Sequence, residues 1–240
     1  MKKKLIITAG GTSEKIDAVR SITNKATGQL GKLIAKKASS EFDIYFVASE
    51  TVKTDDLPSS VHLVEVNDVM KLMETMEKLL TENDIFAVIH TMAVSDFYLE
   101  GIATEEQVQH VLTEEDELRH FQWTQLFMPT KEGKLSSQQE ALYLKLVPAP
   151  KVIQYIKEWS ENTILIGFKL LVNATEEEEK MAAKKQQLLA HSDFVLVNDL
   201  THITDHQHPA TLIQGEDVIG RFKTKEEIAN ALMILLMERK

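Results

Sequence analysis

Cysteine is absent from this chain, so no disulfide can staple its fold, a composition that suits the cytoplasm. No apolar run of about 18 residues occurs, and no membrane span is expected. The start, MKKKLIITAGG, is basic like a targeting leader, but its apolar stretch covers only Leu5 to Ala9 and ends in glycines. It reads as a first strand running into a turn. Positive charge is in deficit, with 27 Lys and Arg against 37 Asp and Glu and a formal net charge of −10. That balance disfavours non-specific nucleic-acid binding, which needs a positive surface. It leaves room for small anions, because a local nest of backbone N–H groups binds phosphate against an unfavourable global field. No internal repeat and no separating linker is visible. The expectation is one α/β domain over residues 1–240 with an appended arm.

What is present is a hydrophobic fraction of 43%, enough for a sizeable core. Short, nearly continuous apolar runs read as strands: Lys4 to Thr8, Asp43 to Ala48, His62 to Val66, Ile85 to Thr91, Ile164 to Phe168 and Phe194 to Val197. Between them lie helical patterns at Gly28 to Lys37, at Asp68 to Leu80 with Asp68 as N-cap, at about Thr175 to Leu189, and at Glu226 to Met237. Apolar strands alternating with helices predict a doubly wound, mostly parallel, Rossmann-like sheet covered on both faces. Residues 97–147 break the alternation with a polar, acidic stretch too long for an ordinary loop, and read as a flap or dimerisation arm. Pro209 to Lys223 reads as a small C-terminal β-hairpin around Gly215-Glu216-Asp217.

The strongest chemical signal is TAGGTSEKIDAVRSITNKATGQLG, residues 8–31. A strand enters Gly10-Gly11-Thr12, and after an excursion Asn24-Lys25-Ala26-Thr27-Gly28 opens a helix. Glycine turns at a strand's carboxyl end let backbone N–H groups approach phosphate, and a helix N-terminus adds partial positive charge. The spacing is neither G-x-G-x-x-G nor G-x-x-x-x-G-K-[ST], and by itself it fits a structural turn as well as a phosphate cradle.

Further patches follow in order: Ala93-Val94-Ser95-Asp96-Phe97, Gly133-Lys134-Leu135-Ser136-Ser137, Lys145 to Ile153, Gly167-Phe168-Lys169 and Asn198-Asp199. Together with the opening segment they resemble the phosphopantothenoylcysteine synthetases (phosphopantothenate–cysteine ligases), in the short stand-alone bacterial form. The resemblance implies a ligase that activates 4'-phosphopantothenate with CTP to an acyl-cytidylate, releasing pyrophosphate, and then joins it to L-cysteine, releasing CMP. It implies Mg²⁺ accompanying CTP, no metal site built from protein side chains, and a homodimer in the cytoplasm.

By the same resemblance Asn24 and Lys134 are catalytic, Asn24 donating to the anhydride carbonyl without repelling a carboxylate and Lys134 meeting the polyphosphate from a flap. Nucleotide binding falls to Gly10, Gly11, Thr12, Ala26, Gly28, Gly31, Pro150, Lys151, Val152, Ile153, Phe168, Lys185 and Asn198. Substrate binding falls to Asn24, Met92, Ala93 and Asp96. Lys184 stands beside Lys185, so that assignment is open by one position. Leu189 occupies the place of a second common lysine, and Ala26 that of a serine, which leaves only backbone contact there. His202, His206 and His208 read as a loop rather than a zinc site. Glu176 to Glu179 read as the solvated first turn of a helix. Trp123 and Phe127 hint at a partner surface or an arm core. Competing readings are the same reaction with ATP, an NAD(P)-dependent oxidoreductase on a similar sheet, and a non-catalytic phosphometabolite binder. Against the oxidoreductase stand the missing G-x-G-x-x-G and the lack of a placed Tyr-x-x-x-Lys pair.

Overall fold

A computed structural model describes residues 2–113, 126–128, 133, 135, 140–204 and 206–240. Its centre is an eight-stranded sheet in the order β12-β11-β10-β9-β6-β1-β4-β5. The strands are β1 (Lys4–Ala9), β4 (Asp43–Ser49), β5 (Val61–Val66), β6 (Ile85–His90), β9 (Ile164–Leu171), β10 (Phe194–Asp199), β11 (Ala210–Gln214) and β12 (Asp217–Phe222). Pairings from β5 through β10 are all parallel, and only β11 runs against the rest, pairing antiparallel with β10 and β12. The doubly wound, Rossmann-like expectation therefore holds. The C-terminal hairpin, turning at Gly215 with φ 61°, extends the main sheet instead of standing apart.

Both faces of the sheet are covered, which is why its central strands are apolar throughout. Residues 5–9 of β1 and every residue of β10 are buried. Helices α1 (Gln29–Ala38) and α6 (Lys225–Met237) cover one face, packing Ile34, Ile228 and Leu232 against Leu5, Ile7 and Ile89. Helices α2 (Val69–Glu82) and α4 (Val152–Trp159) cover the other, with Leu72, Met76 and Ile156 against Ile6 and Val88. Helix α5 (Glu176–Ala190) sits over β9 and β10 on that side. Its N-terminus is closed by a capping box between Thr175 and Glu178, and its first turn is Glu176 to Glu179, as expected. Asp68 caps α2 by accepting the Lys71 N–H at 2.8 Å.

Two small elements depart from the expected alternation. The excursion after Thr12 is a hairpin, β2 (Ser13–Lys15) and β3 (Ser21–Thr23). The described part of the arm is an antiparallel ribbon of β7 (Phe97–Thr104) and β8 (Leu142–Pro148), with α3 (Glu105–Thr113) following β7. Phe97, Met128, Tyr143 and Leu146 of this region are exposed. Trp123 lies outside the described residues.

Candidate active site

The strand order dictates where a ligand crevice opens. From β1 the chain moves outward to β4 and β5, then returns through α2 to β6 on the other side of β1. At such a reversal the connections leave the carboxyl ends of β1 and β6 in opposite directions, and a cleft opens between them. Gly10, Gly11 and Thr12 follow β1, and residues 91–96 follow β6.

Hydrogen bonds lock these two turns together. Ala93 N–H donates to Gly10 O at 2.8 Å, and Thr12 N–H donates to Ala93 O at 3.1 Å. Ser95 N–H donates to Thr12 Oγ1 at 2.7 Å, and the two hydroxyls also pair at 2.7 Å. Met92 N–H donates to Thr8 Oγ1 at 3.1 Å, and the Thr91 hydroxyl to Thr8 O at 2.6 Å. Beneath them Glu14 accepts the Val69 N–H at the start of α2 and bonds Ser95. Burial raises the Glu14 pKa above its ordinary value, partly opposed by those bonds. The hydroxyl and N–H of Thr12 are thus both engaged within the protein, and its carbonyl accepts Asn24 N–H at 3.3 Å.

Asn24 ends the β2–β3 hairpin at the cleft. Its Nδ2 donates to Val94 O at 3.0 Å and, more weakly, to Ala93 O at 3.4 Å. Among the described residues nothing donates to its Oδ1. Gly11 makes this placement possible, because a Cβ there would lie 2.1 Å from Asn24 O. Gly28 then N-caps α1 at φ 66°, a left-handed conformation that glycine alone adopts without strain, and no side chain caps the helix. Among the described residues no acceptor meets the backbone N–H groups of Lys25, Ala26, Thr27 and Gly28. Lys25, Ala26 and Thr27 line a cavity of about 520 Å³ whose walls also include Asn24, Lys32, Thr51 and Lys53. Three lysines, open N–H groups and a helix N-terminus make this an anion-attracting pocket in a net-acidic protein. Lys32 is steered by Asp56 and Lys53 O, each at 2.9 Å. The Lys36 and Lys32 ammonium groups hold the Asp56 carboxyl far below the usual carboxylate range. Gly31 is buried where α1 crosses the end of β1, close to Ala9 and Thr91.

The remaining expected residues lie further along the same edge. Asp96 and Lys151 form an exposed ion pair, and Asp96 O accepts Ala149 N–H at 2.9 Å. Pro150 precedes Lys151, which N-caps α4; Val152 is buried and Ile153 reaches over Gly167. Phe168 is half-buried against the core at the level of Leu196. Asn198 is buried at the end of β10, where its Nδ2 lies 3.3 Å from His208 Nε2. On α5, Lys184 is engaged by Glu216 at 2.7 Å, whereas Lys185 has no partner among the described residues, and Leu189 is exposed. Lys134, Ser136 and Ser137 lie outside the described residues. His202 and His206 are exposed and His208 is half-buried, and among the described residues no three His, Cys, Asp or Glu side chains converge as metal ligands.

The structure therefore gathers Asn24, Ala26, Gly10, Gly11, Gly28 and Ala93 around one cleft. Met92 is buried beside Thr8, while Phe168, Lys185 and Asn198 belong to neighbouring strands and a helix. Sequence reasoning passed over Lys25, Lys32, Lys53 and Thr51. Their signal is weak, since scattered lysines and a threonine on three segments become a wall only once β4 and α1 are packed. It also passed over Glu14 and Ser95, whose work is internal.

Residues 1–118 and 127–239 match the family described as the DNA/pantothenate metabolism flavoprotein C-terminal domain. The coenzyme A biosynthesis bifunctional protein CoaBC of Thermococcus kodakarensis is 32% identical over 233 residues, 96% of this chain and 50% of that protein. The chain spans about half the length of the curated relatives it matches. A solved DNA/pantothenate metabolism flavoprotein from Streptococcus pneumoniae superposes with a TM-score of 0.84 at 33% identity, covering 100% of both chains. A Cab2 variant in complex with phosphopantothenate-cysteine shares the fold, with a TM-score of 0.70 at 15% identity over 99% of this chain and 86% of that one. With a family match over nearly its whole length and a cleft built from the expected glycine turns, the chain belongs to the DNA/pantothenate metabolism flavoprotein C-terminal domain family.

Proposed function

We propose that this chain is a phosphopantothenate–cysteine ligase of coenzyme A biosynthesis, using CTP as the activating nucleotide. The carboxylate of 4'-phosphopantothenate attacks the α-phosphorus of CTP, the bond to the β-phosphate oxygen breaks, and pyrophosphate leaves. The amino group of L-cysteine then attacks the acyl carbon of the acyl-cytidylate, CMP leaves with the bridging oxygen, and the amine gives up its proton. Family membership and the names of the relatives support this reading. The observation that carries it is the convergence of Asn24 with residues 93–94 at the rim of a lysine-lined cavity.

The first step brings an anion to a polyanion, so fixed positive charge must come before chemistry. The unpartnered N–H groups of Lys25 to Gly28, together with Lys25, Lys32 and Lys53, supply that field. Asn24 is uncharged and does not repel the carboxylate. Its Nδ2 hydrogens can pass from the Val94 carbonyl to the acyl oxygen, exchanging one neutral hydrogen bond for another. Lys134 is proposed as the cation that meets the polyphosphate. Mg²⁺ is proposed as the counter-ion of the nucleotide phosphates, where it would neutralise their charge. The exposed apolar residues of the β7–β8 ribbon support a homodimer through this arm. A cytoplasmic site of action accompanies this chemistry. Among the described residues no helix is long and apolar enough to cross a membrane.

The test is pyrophosphate release by the purified, folded chain given CTP, Mg²⁺ and 4'-phosphopantothenate without cysteine. Release dependent on both substrates is expected. Release with ATP but not CTP would transfer the reading to the purine nucleotide, and no release with either would refute it.

A further inference from the structure

The hairpin between the glycine turn and Asn24 carries a buried carboxylate that the proposed chemistry does not use. Asp17 lies in its turn, with its side chain fully covered. Its Oδ1 accepts the N–H groups of Val19 at 2.9 Å and Arg20 at 2.8 Å. Its Oδ2 accepts the N–H of Leu135 at 3.1 Å, 118 residues along the chain. Two further bonds join the same two segments: Ala18 N–H donates to Gly133 O at 3.2 Å, and Arg20 Nη2 donates to Leu135 O at 3.2 Å. Arg20 Nη1 completes the cluster 3.7 Å from Asp17 Oδ2.

We propose that Asp17 is a positioning residue, whose carboxylate docks the Leu135 backbone, next to Lys134, onto the hairpin that delivers Asn24, while the neighbouring Ala18 N–H holds Gly133 O. The inference rests on the ligase reading for the role of Lys134. A carboxylate is required because three N–H donors converge on it. An amide offers one acceptor oxygen and would turn its own NH₂ toward at least one of the donors. The three-residue strands of the hairpin place this dock roughly 10 Å from Thr12 and Asn24 at its base. Hydrogen bonding to Val19, first among its causes, holds the Asp17 carboxyl below its ordinary pKa, so the docking acceptor stays ionised through the neutral range. The same hairpin therefore sets Asn24 by its base and the neighbours of Lys134 by its tip.

The experiment compares the full chain with Asp17→Asn, measuring backbone hydrogen exchange at Leu135 and the ratio of pyrophosphate released to amide formed. Losing a charge-assisted hydrogen bond should speed exchange at Leu135 about tenfold or more. The ratio should rise above one, as the activated acid escapes to water. A merely structural role lowers turnover without moving that ratio. Unchanged exchange at Leu135 overturns the proposal, and so does a ratio that stays at one. The exchange arm needs no substrate, so it decides the docking claim even where the unaltered chain shows no ligase turnover and the functional reading itself has failed. Should Asp17→Asn not fold, Leu135→Pro removes the same N–H donor while leaving the hairpin intact, and the ratio is read by the same criteria.

Discussion

Gly11→Ala tests whether the glycine turn exists for Asn24 or only for the fold. A methyl group at residue 11 would sit 2.1 Å from Asn24 O, about 1.3 Å inside the 3.4 Å at which ordinary van der Waals contact begins. The neighbour is backbone, so it cannot rotate away. Asn24 must retreat, and its N–H bond to Thr12 O, already 3.3 Å long, goes with it. Relief of such overpacking costs about 1–3 kcal/mol of stability. In a chain of this size that lowers Tm by a few degrees. The catalytic cost should be far larger, because a displacement near 1 Å of a positioned group costs on the order of 10²-fold in rate. Gly215→Ala is the matched control. It sits at φ 61° in open space on the C-terminal hairpin, so strain of about 1–2 kcal/mol is expected there with no contact to the cleft. Thermal melts and initial rates of pyrophosphate release on both variants decide the matter. Similar melting losses with a gap of about 100-fold in turnover are expected. Equal turnover in the two variants would refute the argument that Gly11 serves the site.

Two further outcomes follow from the same geometry. Lys185→Ala should raise KM for the nucleotide about tenfold, as loss of a charged phosphate contact does, whereas Lys184→Ala should leave it within about twofold because that ammonium already faces Glu216 at the surface; steady-state titrations of both variants check this. Burial lowers the pKa of His90 to about 4, against about 6.5 in an unfolded chain. Between these values the unfolded state binds more protons, so stability is complete above about pH 6.5 and falls by about 3 kcal/mol as pH drops toward 4. Urea unfolding at pH 7.5 and pH 5 should show that slope, and His90→Gln should remove it.

The central fold was legible because burial on both faces leaves a direct trace in composition. The runs Leu5 to Ala9, Ile85 to His90 and Phe194 to Val197 are apolar at almost every position, and all sit inside the sheet. The cap Asp68 was equally local, since a cap bonds three residues onward. The β7–β8 ribbon was not legible. Its strands pair across an interval of about forty residues, and the pattern of β8, exposed at Tyr143, Leu146 and Pro148, belongs to a surface ribbon. Helix α4 announces itself only by Val152 and Ile156, one i, i+4 pair after Pro150, which is too short a stripe to separate from a strand end.

The cleft shows a different limit. Candidate residues can be named from the sequence, yet the division of labour among them is three-dimensional. Thr12 stands in the glycine turn like a phosphate contact, but its hydroxyl and N–H are given to Ser95 and Ala93, 83 and 81 residues away. Lys151 and Asp96 satisfy each other across 55 residues, so either can reach a ligand only by leaving the other. Lys32 and Lys53 come from a helix and a loop with no shared motif, and they matter because Gly28 leaves the start of α1 uncapped between them. Sequence spacing records which groups are available. Whether a group faces ligand or holds another group in place depends on which hydrogen-bond partner is nearer, and for Thr12, Glu14 and Asp17 that partner is protein. These three therefore form a frame around Asn24. Substituting any of them should act on the reaction through the placement of the cleft walls, while the unpartnered N–H groups of Lys25 to Gly28 remain available to an anion.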